Sequence, residues 1–125
     1  MSELSKQIQS LDLTSVMARL KRESGLNAET LTKAETQYRQ FLQLCLNDTG
    51  TVPTELADKV WHCHIIDTKK YAADCEALFG EFMHHNPHTE MNQALAEAAQ
   101  QTKLAWQNYF KKHAEQPYTS AICSR

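Results

Sequence analysis

The chain has little of what interrupts a helix. Its 125 residues include only three glycines and three prolines. All six (Gly25, Gly50, Gly80, Pro53, Pro87 and Pro117) fall between or at the ends of helix-like stretches, where breakers belong. Strand-like alternation of apolar and polar residues is absent, as are internal repeats and low-complexity tracts. No apolar run approaches the length of a membrane span. The first residues lack the charged-then-apolar layout of a signal peptide, so a cytoplasmic protein with no membrane attachment is expected. Thirteen Lys and Arg stand against fifteen Asp and Glu, and no basic surplus points to nucleic acid. Local basic pairs include Lys69-Lys70 and Lys111-Lys112. Glycine-rich phosphate loops, serine-hydrolase elbows and paired zinc-finger cysteines are missing, which argues against nucleotide-driven chemistry. The four cysteines (Cys45, Cys63, Cys75 and Cys123) form no Cys-x-x-Cys pair and read as reduced thiols.

What is present is helical periodicity. The length and the 42% hydrophobic content suit one domain, over residues 1–125, with a single core. A short turn of helix around Leu4 and Ile8 precedes a helix over 12–23, capped by Asp12 or Thr14 and ended by Gly25. The next helix covers 28–47 with Asn27 as N-cap, and Leu31, Ala34, Tyr38, Phe41, Leu42 and Cys45 make its core stripe. A third begins near Pro53-Thr54 and breaks at Asp67-Thr68. A fourth spans 68–83, with Gly80 inside it as a site of close packing or an early bend. A fifth spans 89–115, including His113. Residues 84–88 read as loop, because Pro87 disfavours helix before it, and 117–125 as irregular tail. The expectation is an all-α bundle of about five helices.

Five of the six histidines sit in two windows: Trp61-His62-Cys63-His64-Ile65 and His84-His85-Asn86-Pro87-His88. Helix residues turn by about 100° each, so His62 and His64 point to opposite sides and do not form a simple chelate. His62 shares a face with Asp58 and Glu55, whereas His64 falls on the apolar side with Val60 and Trp61. If the third and fourth helices form an antiparallel hairpin, the following loop returns His84 or His85 to Asp58 and His62. A His/carboxylate set there suits zinc, iron or manganese. The plainer alternatives are a core His64 bonded to backbone, an exposed Asp58–His62 pair and a solvated histidine loop. Cys63 lies between two histidines, yet its neighbours point away on a helix. Cys75 reads as buried and inert. Cys123 reads as the exposed thiol of the tail, either free or an extra ligand for the histidines.

Residues 52–87 carry Pro53, Asp58, Trp61-His62-x-His64-Ile65, Asp67-Thr68, Tyr71, Asp74-Cys75, Phe79-Gly80 and His84-His85-x-Pro87. This pattern, with Tyr38 and Phe41-Leu42 before it, resembles the glycine-rich domain-containing protein-like family, a domain of unknown function. The resemblance implies a small standalone member of the bacterial type, with Asp58, Trp61, His62, His64, Tyr71 and His85 at the motif positions. It implies no particular reaction.

Two functions from different classes compete. In the first, Asp58, His62 and His85, with His84 or His64 adjacent and Trp61 and Tyr71 behind, bind a divalent metal that activates water or oxygen. In the second, the histidines are structural and the chain is a non-catalytic interaction module for a protein partner or a second copy of itself. A pH or redox sensor using the histidines with Cys63 or Cys123 is a third.

Overall fold

Helix α3 (Ala28–Asn47) is the longest described element, and the helices before it, the helix after it and the last described helix all pack on it. The structure, a computed structural model, describes residues 4–47, 50–87, 93–110, 119 and 121–124. Before α3 come α1 (Lys6–Gln9) and α2 (Thr14–Ser24); after it come α4 (Glu55–Ile66), α5 (Thr68–Phe79), strand β1 (His84–Pro87), α6 (Gln93–Phe110) and strand β2 (Ala121–Ser124). The all-α expectation holds: the described secondary structure is six helices and one two-stranded ribbon.

Local signals set most boundaries. Asn27 caps α3, its Oδ1 accepting from the Thr30 amide at 2.8 Å. Thr54 caps α4, accepting from Ala57 N–H at 3.2 Å. Its own hydroxyl donates to Gln37 Oε1 on α3 at 2.6 Å, which fixes the start of α4 against α3. Asp67 ends α4 and begins α5. Helix α5 is shorter than the 68–83 that its apolar pattern predicts. Gly80, at φ +75, takes the left-handed conformation and returns its amide to Glu76 O, ending the helix at Phe79. The sixth helix is described from Gln93 to Phe110, and the predicted extensions at 89–92 and 111–115, with His113, lie outside the described residues.

The stripe read from α3 is the centre of the core. Ala34, Tyr38, Phe41, Leu42 and Cys45 are buried against Val60 and Trp61 of α4, with Ile8, Val16 and Leu20 from the first two helices. Helix α4 packs on α3, α2 and α5 at once. Such encirclement explains why Trp61 is completely buried.

Two expectations are corrected. Residues 84–87 are a strand, not a loop, and the tail is not irregular throughout. His84 pairs with Ser124, His85 with Cys123, Asn86 with Ile122 and Pro87 with Ala121, antiparallel. Four residues are too few to display a period of two, and the pairing partner is more than thirty residues away. On its other side β2 meets residues 50–53: Gly50 N–H donates to Cys123 O, Cys123 N–H to Thr51 O, and Thr119 N–H to Pro53 O. No described helix is long and apolar enough to cross a membrane.

Candidate functional site

The helical split of the two histidines in the first window is seen directly. His62 is exposed, and His64 is 1% exposed. His64 does not bond to backbone as a core histidine was expected to. Its Nδ1 lies 2.6 Å from the Tyr38 hydroxyl of α3, and its Nε2 lies 2.7 Å from Asp74 Oδ2 of α5. Asp74 also receives Lys70 Nζ at 3.0 Å. A carboxylate only accepts, so Nε2 carries the hydrogen, and Nδ1 accepts from the tyrosine. Burial pushes the His64 pKa down, and outweighs the upward pull of the Asp74 hydrogen bond and charge. The imidazole is thus a neutral connector of three helices. Burial likewise pushes the Tyr38 hydroxyl well above its ordinary range, so it stays a donor.

A second buried chain runs beside the first. Trp61 Nε1–H donates to the Tyr71 hydroxyl at 2.9 Å, and that hydroxyl donates to Met83 O at 2.5 Å. The Tyr71 ring stands edge-on to His64, with centroids 4.9 Å apart. Tyr71 therefore ties α4, α5 and the entry to β1 together.

The hairpin does return the second histidine window to Asp58. His85 Nε2 lies 2.9 Å from Asp58 Oδ1, both side chains about a quarter exposed. The His85 ring packs on Trp61, centroids 4.3 Å apart. His84 is exposed and contacts the Phe82 ring instead, at 5.0 Å. Strand alternation accounts for the choice: neighbouring residues of β1 face opposite sides, so only one of the pair reaches α4. His88 lies outside the described residues. Glu55 is exposed one turn earlier than Asp58. Among the described residues, no three His, Cys, Asp or Glu side chains converge as a metal-holding group.

The cysteines differ from their expected roles in one case. Cys63 and Cys75 are buried, and burial raises both thiol pKa values, as befits inert core thiols. Cys123 is not exposed. It is 1% exposed, and its Sγ stands 3.1 Å from Sγ of Cys45. The long-range pairing of β2 carries it inward.

A cleft of about 340 Å³ opens on another side, between the end of α3, residues 50–51 and α6. Leu44 and Ala105 give it apolar surface, and Asn47, Thr102, Asn108 and Tyr109 give it hydrogen-bonding groups.

Sequence reasoning missed Tyr38 and Asp74 as the partners of His64, and Cys45 as the partner of Cys123. Tyr38 and Asp74 stood in the motif, but nothing in their spacing pairs them with a histidine on a third helix. Comparison with known proteins agrees with a motif that extends beyond the hairpin. The family described as UCP032817-like matches residues 5–121. The chain belongs to that family. The family is uncharacterised, and its description says nothing of glycine-rich proteins. No curated protein and no solved structure matches the chain. Membership covers all six helices, so the Tyr38–His64–Asp74 connection and the Asp58–His85 contact both lie within the matched region.

Proposed function

We propose that the chain is a non-catalytic interaction module in which the histidines are structural. The observation that carries this reading is the engagement of both ring nitrogens of His64 by Tyr38 and Asp74 inside the core. A histidine so held has no lone pair to offer a substrate or metal. His85 is held at one nitrogen, its Nε2 on Asp58, and its ring packs on Trp61. The recess left for a partner is the cleft between α3 and α6. The described residues that line it carry no charge, which suits an uncharged, hydrogen-bonding segment of a protein partner better than an ionic ligand.

One observation favours a second reading, a divalent-metal site. Asp58 and His85 already meet at 2.9 Å, partly open to solvent, and His62 follows Asp58 by one turn on α4. A rotamer change at His62 would supply a third donor for zinc, iron or manganese. Elemental analysis of untagged protein, with melting curves before and after added zinc, separates the two. Under the first reading the protein is metal-free, zinc leaves the melting temperature unchanged, and His85→Ala lowers it. Stoichiometric metal that is lost in His62→Ala or His85→Ala, with the fold kept, would overturn it in favour of the second.

A further inference from the structure

Cys45 and Cys123 are 78 positions apart in the chain, yet their sulfurs are 3.1 Å apart in the core. Each is held there by independent structure. Cys45 is in the last turn of α3. Cys123 is clamped on both sides of β2, by its pairing with His85 and by its hydrogen bonds to Gly50 and Thr51. Closing the gap to the roughly 2.05 Å of a disulfide requires a shift on the order of an ångström, within reach of side-chain rotation.

The two sulfurs are chemically unequal to the other two. The hydrogen bond from the Cys45 thiol outweighs burial and, with the amides of Thr51 and Gly50, brings the Cys123 thiol down to about 7. Cys63 and Cys75 are pushed the other way by burial. Near neutral pH the pair therefore holds a thiolate at Cys123 next to the Cys45 thiol, the combination that a two-cysteine oxidation needs.

We propose that Cys45 and Cys123 form a reversible disulfide in response to peroxide, and that this bond fastens β2 to α3. The Cys123 thiolate attacks one peroxide oxygen; the O–O bond breaks, and the departing hydroxide takes a proton to become water. Cys123 is then a sulfenic acid. The Cys45 sulfur attacks the Cys123 sulfur; the S–O bond breaks, the hydroxide leaves, and the Cys45 proton completes a second water. Two thiols are oxidised by two electrons, and one peroxide is reduced to two waters. A dithiol reductant reverses the step by exchange. Hydrogen peroxide is small enough to reach a buried sulfur through brief opening of a four-residue strand.

The test treats the full chain with hydrogen peroxide, unfolds it, alkylates it and maps the peptides without reduction. The expected result is an intact mass lower by about 2 Da before alkylation, then one Cys45–Cys123 linked peptide pair with Cys63 and Cys75 alkylated. Dithiothreitol restores the starting mass. Oxidised protein unfolds at higher urea than reduced protein, because the link closes a long loop in the unfolded chain. In Cys45→Ser, which lacks the resolving thiol, dimedone labels Cys123 after peroxide. A link through Cys63 or Cys75 overturns the proposal. So does unchanged mass, or no dimedone adduct in a folded Cys45→Ser protein. Should that variant fail to fold, the wild-type peptide map alone decides.

Discussion

The hydroxyl of Tyr38 and Nδ1 of His64 meet at 2.6 Å between α3 and α4, and Asp74 of α5 holds the opposite nitrogen of the same ring at 2.7 Å. One imidazole thus fastens three helices in a region where no water is needed to satisfy it.

Tyr38→Phe keeps the ring and removes the donor, leaving Nδ1 of His64 buried with no partner. Urea unfolding should show a loss of about 1–3 kcal/mol, the cost of an orphaned buried polar atom. A change within 0.5 kcal/mol, the range of ordinary surface substitutions, would mean that the hydroxyl and ring are not bonded in solution.

The same ring sets an acid limit on stability. Burial holds the folded-state pKa of His64 below its ordinary 6.5, so the unfolded chain binds this proton more readily than the folded one. The contribution of His64 is therefore complete above about 6.5, falls as pH drops below that value, and stops falling once the folded pKa is passed. Urea midpoints measured from pH 8 down to pH 5 should decline over that window in the wild type. In His64→Asn, though less stable throughout, the decline should be shallower. Parallel curves for the two proteins would remove His64 as the cause.

The Tyr71 hydroxyl bonds to Trp61 Nε1 and Met83 O and also meets the Cys75 thiol, whereas Trp61 Nε1 has Tyr71 as its partner. Tyr71→Phe strands both the indole N–H and the Met83 carbonyl, whereas Trp61→Phe removes the donor with its acceptor still able to donate to Met83 O. At about 1–3 kcal/mol for each orphaned group, Tyr71→Phe should cost on the order of 2–6 kcal/mol. Trp61→Phe also creates a void in a fully buried site, so its loss comes from packing, and the two effects separate by tryptophan-to-tyrosine comparison at position 61: Trp61→Tyr should recover part of the packing and none of the indole bond.

The neighbouring histidines should differ although the sequence treats them alike. His85→Ala removes the Asp58 hydrogen bond and the Trp61 ring contact and should cost about 1–2 kcal/mol. His62→Ala and His84→Ala change exposed positions and should stay within about 0.5 kcal/mol. Thermal melts of the three variants in metal-free buffer make the comparison. Equal losses at all three would contradict the positions of these side chains.

Helical periodicity decided much about this chain before any tertiary contact was known. The stripe of Leu31, Ala34, Tyr38, Phe41, Leu42 and Cys45 marked the core face of α3, all buried but the partly buried Leu31, and Asn27 marked its start. The turn of about 100° per residue separated exposed His62 from buried His64, and the hairpin brought the second histidine window to Asp58. These are consequences of local geometry, which a sequence states in its spacing. Only the tertiary structure decided the partners: that His64 bonds to Tyr38 and Asp74, that His85 and not His84 reaches Asp58, and that Cys123 lies against Cys45 instead of in solvent. Residues 10, 26, 27 and 78 positions apart meet in these contacts. No local period encodes such distances; they follow from how the helices pack and from a four-residue strand that exists only because its partner arrives from the far end of the chain.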